Sequence, residues 1–260
     1  MSNSLLIIDP QNDFVDPMGS LYVPGADLDM NRLCAFIENN QIDEITVTLD
    51  SHSEFDIAHP AFWEDPQKKS PNPFKVISVD EVLNGNWRPV EKAFQRWCTE
   101  YVQELERRGK YQLTIWPPHC ITGSWGQCIW PKLSDVLRTW EKDQKRSVNY
   151  IYKGQNALTE HYSAVKAEVP DPNDKNTSLN KELISLFEKD NIDKIYIAGE
   201  ALSHCVAGTV RDLAANLSEK TVGKMVLLAD CTNSVPGFES AGQEFIEEMT
   251  SQGMKTLASN

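Results

Sequence analysis

Short apolar runs and longer stretches of helical spacing alternate along this chain. Leu5-Leu-Ile-Ile8 is the first run, and further strands are predicted over residues 42–49, 111–115, 148–152, 194–198, 224–229 and 255–258. Between them, apolar residues recur at helical intervals over 28–39 (Leu28, Leu33, Phe36, Ile37), 90–108, 130–145, 179–189, 205–216 and 241–252. This alternation predicts an α/β fold, with three α-β-α layers around a mostly parallel, doubly wound sheet. Residues 63–110 break the rhythm. They are rich in Pro, Lys, Asp and aromatics (Trp63, Phe74, Trp87, Phe94, Trp97) and read as a lid or interface subregion inserted into one domain spanning 1–260.

Composition narrows the partners rather than the fold. The 260 residues are 40% hydrophobic and 24% charged, as expected of a globular chain with a sizeable core. A formal charge of −13 disfavours nucleic acid and anionic membranes as partners. There is no apolar run of membrane-spanning length, and the N-terminus has no basic leader, so a cytoplasmic protein is expected. Six cysteines (34, 98, 120, 128, 205 and 231) lack paired spacing, which suits a reducing compartment and argues against a disulfide framework or a zinc knuckle. Aromatic side chains in the inserted stretch, if exposed, would suit a homo-oligomer.

The ends of the predicted strands carry chemistry. The first run ends at Asp9, the second at Asp50-Ser-His52, the third beyond Trp116-Pro-Pro at His119, the fourth at Lys153-Gly154, and the fifth at the turn before Cys205. In a parallel sheet these ends open on one edge, where ligands bind. Residues i and i+2 on extended chain share a side, so Asp50 and His52 can face one cation. A carboxylate with imidazoles suits zinc first, with iron or manganese also accommodated. Each residue alone has a plain explanation, since most free cysteines are small buried hydrophobes and most lysines are surface charges. Their shared placement at strand ends is what calls for another.

Residues 195–211, Ile-Tyr-Ile-Ala-Gly-Glu-Ala-Leu-Ser-His-Cys-Val-Ala-Gly-Thr-Val-Arg, pass from strand to helix, with Ser203 in the place of an N-cap. Cys205 then lies near unpaired N–H groups, where the helix dipole favours a thiolate. Lowering a thiol from about 8.5 to about 6.5 takes roughly 2.7 kcal/mol. A helix terminus supplies about 0.3–1 kcal/mol, so a nearby ammonium is expected to provide the rest.

Together, Asp9-Pro-Gln-Asn-Asp-Phe14, Asp50-Ser-His52, Trp116-Pro-Pro-His119-Cys120, Lys153-Gly154 and Gly199-Glu-Ala-Leu-Ser-His-Cys205-Val206 resemble the isochorismatase-like cysteine hydrolases, nicotinamidase/pyrazinamidase branch. The motifs run in the family's order through nearly the whole chain. The resemblance implies a triad of Asp9, Lys153 and Cys205, and a divalent metal held by Asp50, His52 and His119. It further implies a cis Glu200–Ala201 peptide, an oxyanion hole from the N–H groups of Ala201 and Cys205, and Phe14 and Trp116 on either side of an aromatic amide. His59 would correspond to an additional histidine near the metal. Glu200 stands where the family usually has an apolar residue, which places a carboxylate in the substrate pocket beside the oxyanion hole, where it would be solvated, bind a cation such as Arg211, or alter substrate preference.

The implied activity is hydrolysis of nicotinamide to nicotinate and ammonia. Alternatives are a related hydrolase of another small carboxamide or N-carbamoyl compound, and a non-catalytic ligand-binding or redox-sensing protein on the same fold.

Overall fold

The computed structural model describes residues 2–109 and 111–260. The apolar runs pair as β1 (Ser2–Ile8), β2 (Glu44–Asp50), β3 (Asn149–Lys153), β4 (Ile192–Gly199), β5 (Met225–Leu228) and β6 (Lys255–Leu257). They form one sheet in the order β6-β5-β4-β1-β2-β3, parallel at every pairing. β1 lies at the centre, and Leu5, Leu6, Ile7 and Ile8 are fully buried, as an unbroken apolar run in a parallel sheet requires. β3 is an edge strand that leaves Tyr150 and Tyr152 exposed.

Among the described residues there are six helices of seven or more residues: α1 (Ala26–Asn39), α2 (Gln95–Arg108) in the inserted stretch, and α3 (Pro131–Gln144), α4 (Lys181–Phe187), α5 (Ala207–Ala214) and α6 (Glu239–Ser251). α1 packs on α3, and α5 packs on α6. Right-handed crossovers put α1 and α3 on one face of the sheet and α4, α5 and α6 on the other. The winding reverses between β1 and β4. At such a reversal the loops leave in opposite directions and open a crevice at the strands' C-terminal ends. Asp9 directly follows β1, and the turn bearing Cys205 follows β4.

The run at 111–115 departs from expectation. Only Leu113–Thr114 is strand, and it pairs antiparallel with Val76–Ile77 outside the six-stranded sheet. β2 already has β1 and β3 as neighbours, so this run finds its partner in the inserted stretch. His119 therefore reaches the crevice from a loop.

The insertion has a small core of its own, in which Phe62, Trp63, Tyr101, Val102 and Leu105 meet. Lys110, its predicted last residue, lies outside the described residues. Of the five aromatics noted above only Phe74 is exposed, which removes most of the sequence argument for an oligomer. No described helix is long and apolar enough to cross a membrane. All six cysteines are unpaired.

Gly199 ends β4 with φ +118, and a Cβ there would stand 2.0 Å from the carbonyl oxygen of Ile8. Gly85 also has positive φ (+73) but faces open space. Gly85→Ala should therefore cost only about 1 kcal/mol of backbone strain, whereas Gly199→Ala should cost roughly 3 kcal/mol or more. Urea midpoints of the two variants compare them directly.

Candidate active site

Asp9, Lys153 and Cys205 arrive from three different strands and meet below the crevice. Lys153 Nζ lies 2.9 Å from Asp9 Oδ2 and 3.1 Å from Asp50 Oδ1. It donates to the His161 carbonyl at 2.8 Å and to Cys205 Sγ at 3.6 Å. Thr48 on β2 fixes Asp9, its hydroxyl donating to Oδ1 at 2.6 Å. All these groups are buried. Burial works against the Lys153 ammonium, but Asp50 and Asp9 more than offset it and hold its pKa well above the ordinary lysine value. Asp9 moves up, because burial and Asp50 together outweigh the pull of Lys153.

Cys205 differs from the sequence expectation. It lies in a π-helical turn, Leu202–Val206, immediately before α5, but burial pushes its thiol well up. Lys153 pulls the other way, while Asp9 and Asp50 add to the rise. Lys153, shared between two carboxylates, offsets this rise only in part, so the side chains alone do not lower the thiol. Ser203 is not the N-cap either. It lies inside the turn, where its hydroxyl accepts the Val235 N–H at 3.1 Å and bonds His204 Nδ1 at 2.9 Å.

The metal-type side chains form a second cluster that shares Asp50 with the first. One ligand atom each from Asp50, His52 and His119 lies within 4.8 Å of the others. Asp50 Oδ2 is 3.1 Å from His52 Nε2 and 3.7 Å from His119 Nε2. Second partners set the ring orientations. His52 Nδ1 is 3.0 Å from Asp56 Oδ2, and His119 Nδ1 is 2.9 Å from the Pro117 carbonyl. Both rings thus present Nε2 inward, and that of His52 is buried without a hydrogen-bond partner. An orphaned imidazole nitrogen facing a carboxylate and a second imidazole is a donor set that fits a divalent metal. His59 is buried beside them, but its Nδ1 meets the Ser53 carbonyl and its Nε2 lies 3.4 Å from His119 Nδ1. Both nitrogens are thereby engaged.

Phe14, Leu21, Trp116, His119, Tyr162, Ala201, His204, Cys205 and Val235 line the cavity above Cys205, with Asp50 and Glu160 at its polar end. Its free space is about 20 Å³, room for roughly one water. Trp116 Nε1 donates to Tyr162 Oη at 2.9 Å. His204, pushed down to about 4 by burial, is a neutral ring packed among Tyr111, Trp116, Tyr162 and Phe238. Tyr162 and His204 separate this cavity from an outer one of about 590 Å³.

Glu200 is not a pocket residue. Its carboxyl is buried on another side of the turn, where its Oε2 accepts the Asn233 N–H at 3.1 Å, and Arg211 pairs instead with Glu248. The Glu200–Ala201 peptide is cis. Sequence reading missed Asp56, Glu160, Tyr162 and His204. Asp56 had a signal, four residues after His52. Glu160 and Tyr162 lie in a loop without periodicity, where only the fold shows their direction. Glu160 Oε1 is 4.0 Å from His52 Nε2, and the Glu160 N–H donates to Tyr101 Oη on α2 at 3.1 Å, so the insertion helps place it.

No family model matches the chain. Over 256 residues, covering 98% of both chains, it is 26% identical to the nicotinamidase of Saccharomyces cerevisiae. Its fold is similar to that of the yeast nicotinamidase bound to the inhibitor nicotinaldehyde (TM-score 0.69, 20% identity, 98% of this chain and 99% of that one). It is also similar to the Pyrococcus horikoshii pyrazinamidase in complex with zinc (TM-score 0.57, 19% identity, 99% of each). The three-layer α/β architecture is the fold of these nicotinamidase and pyrazinamidase structures. The sequence similarity to the yeast nicotinamidase extends over nearly the whole chain.

Because Asp56 fixes the His52 ring, Asp56→Asn should weaken zinc binding about 10–100-fold, and Asp50→Ala should abolish it. Metal titration of the apo-protein, followed by elemental analysis, distinguishes the two effects.

Proposed function

We propose that the protein hydrolyses nicotinamide to nicotinate and ammonia through a thioester on Cys205. The observation that carries this reading is the reach of one buried ammonium. Lys153 contacts Asp9 and Cys205 together, directly beneath a cavity flanked by Phe14 and Trp116. Whole-length similarity to a nicotinamidase points to the same substrate.

The steps follow from the placement of the side chains. The pyridine ring lies between Phe14 and Trp116, with its carboxamide toward Cys205. Sγ attacks the carbonyl carbon as the thiol proton passes to Asp9, the carboxyl whose raised pKa suits it to take a proton and return it. Lys153 stabilises the sulfur anion in transit. The oxyanion faces the N–H groups of Ala201 and Cys205, a contact of a few kcal/mol in such sites. Collapse of the tetrahedral species breaks the C–N bond, and Asp9 gives its proton to the departing ammonia. Water then attacks the thioester, losing a proton to Asp9. Collapse expels the sulfur, which recovers the proton from Asp9, and the nicotinic acid so formed gives its own proton to the released ammonia as it leaves as nicotinate.

Asp50, His52 and His119 would hold the metal, for which zinc is the best match to the donors, with iron or manganese also accommodated. Such an ion would supply a Lewis-acid site beside the cavity, toward which these three side chains would orient the substrate. His59 and Asp56 support the ligands from behind. Since the cavity's free space is about that of one water, the ring enters by displacing wall side chains, of which Tyr162 and His204 also line the outer cavity. A cytoplasmic location agrees with six unpaired cysteines.

Cys205→Ala should abolish ammonia release from nicotinamide while retaining bound metal. Asp9→Asn should lower kcat by about 10²–10⁴ with little change in KM, as for loss of a positioned proton carrier. A wild-type protein that holds its metal and releases no ammonia from nicotinamide would rule out this substrate.

A further inference from the structure

The steps above make no use of Glu200, yet it begins the turn that carries Ala201 and Cys205 and is fully buried. Beside it is Asp29, in the first turn of α1 and 1% exposed. Asn233, after β5, holds both acids. Its backbone N–H donates to Glu200 Oε2 at 3.1 Å, and its Nδ2 donates to Asp29 Oδ2 at 2.5 Å. The same residue's carbonyl accepts the Leu202 N–H at 2.8 Å, so Asn233 grips the turn on both sides of Ala201. The Glu200 N–H donates to the Ile8 carbonyl of β1 at 2.8 Å.

One atom remains unsatisfied. Glu200 Oε1 receives no N–H or O–H among the described residues, and the Glu200 and Asp29 carboxyls, both held by Asn233, interact side chain to side chain. Two acceptor-only carboxylates in a buried contact repel, whereas one proton between them makes a hydrogen bond. Arg32 does not remove the need for that proton, because it bonds Asp29 and the Asp230 carbonyl rather than Glu200.

We propose that Glu200 and Asp29 share one proton at neutral pH, and that this hydrogen-bonded pair is a positioning device locking the nucleophile turn to α1. Its bearing on turnover rests on the reading of Cys205 as the nucleophile. The shared proton itself does not.

The charged and titratable surroundings are few. α1 brings Asp29 and Arg32, and the segment after β5 brings Asp230 and Cys231. Asp9 follows the Ile8 carbonyl, and the turn itself carries His204 and Cys205. Burial, reinforced by Asp29, pushes the Glu200 carboxyl well above the usual range, and burial also raises Asp29. Cys231, pushed up to about 12 mainly by burial, stays neutral. Asp230 is ionised and occupied by Ser259.

The sign follows from linkage. Glu200 ionises in the unfolded chain near its ordinary value of 4.5 but stays protonated when folded. The wild type therefore loses stability as pH rises from there until the pair gives up its proton. Glu200→Gln carries no charge in either state, and its amide can donate to Asp29 where the proton stood.

The test is thermal unfolding of wild type and Glu200→Gln from pH 5 to 9, with hydrogen exchange of the 201–206 amides at both ends. The melting difference should move steadily in favour of Glu200→Gln as pH rises. Over each pH unit in which the folded pair keeps its proton and the opened turn does not, the wild-type-to-variant ratio of exchange rates at those amides should rise about tenfold. A melting difference independent of pH, or an exchange ratio independent of pH, would overturn the proposal, since Glu200 would then be an ordinary buried residue or already charged. If Glu200→Gln fails to fold, Asp29→Asn must show the same growth with pH. Neither readout involves substrate. Absence of nicotinamide turnover would count against the hydrolase reading alone.

Discussion

The Lys153 ammonium is the interaction on which this site depends. It sits at the end of an edge strand, fully buried, between two carboxylates from the central strands β1 and β2. A lone buried ammonium would shed its proton, and two carboxylates in contact would not both ionise. Each cancels the other's cost, and the arrangement persists only while all three are present. Among these three side chains the charge left over is negative, which adds to the upward push on the Cys205 thiol and leaves Asp9, raised by burial, as the carboxyl with weaker compensation.

Asp50 joins the two halves of the site. One oxygen pairs with Lys153, and the other faces His52 and His119. Charge among the metal-type side chains is thus felt at Cys205 through a single side chain. This sharing demands close backbone approach. A Cβ on Gly154 would stand 2.5 Å from Asp50 Oδ1, so the glycine after Lys153 is what lets β3 carry its lysine so near the carboxylate.

The inserted stretch contributes to the site through contacts rather than chemistry. Tyr101 on α2 holds the Glu160 N–H, and Trp97 Nε1 donates to the Leu158 carbonyl at 2.7 Å. Phe74 meets Trp116 edge-on, with ring centroids 5.9 Å apart. A loop that would otherwise wander over the crevice is thereby fixed, with Tyr162 and His204 as a neutral aromatic wall around the cavity.

The sequence by itself determined the layers, the strand order's raw material and the residues that carry charge to one edge. Unbroken runs such as Leu5–Ile8 leave few alternatives to a central parallel strand, and strand ends in such sheets point one way. It could not determine which run joins the sheet. Residues 111–115 look like β1 in composition, but a strand's place depends on which partners are already taken, and that is a long-range matter. Nor could it give the Cys205 protonation state or the direction of Glu200. Both depend on groups distant in sequence: Asp9 and Asp50 for the thiol, Asp29 and Asn233 for the glutamate. Local spacing fixes the face on which a side chain starts. Only the tertiary structure decides what dielectric and which charges it meets there.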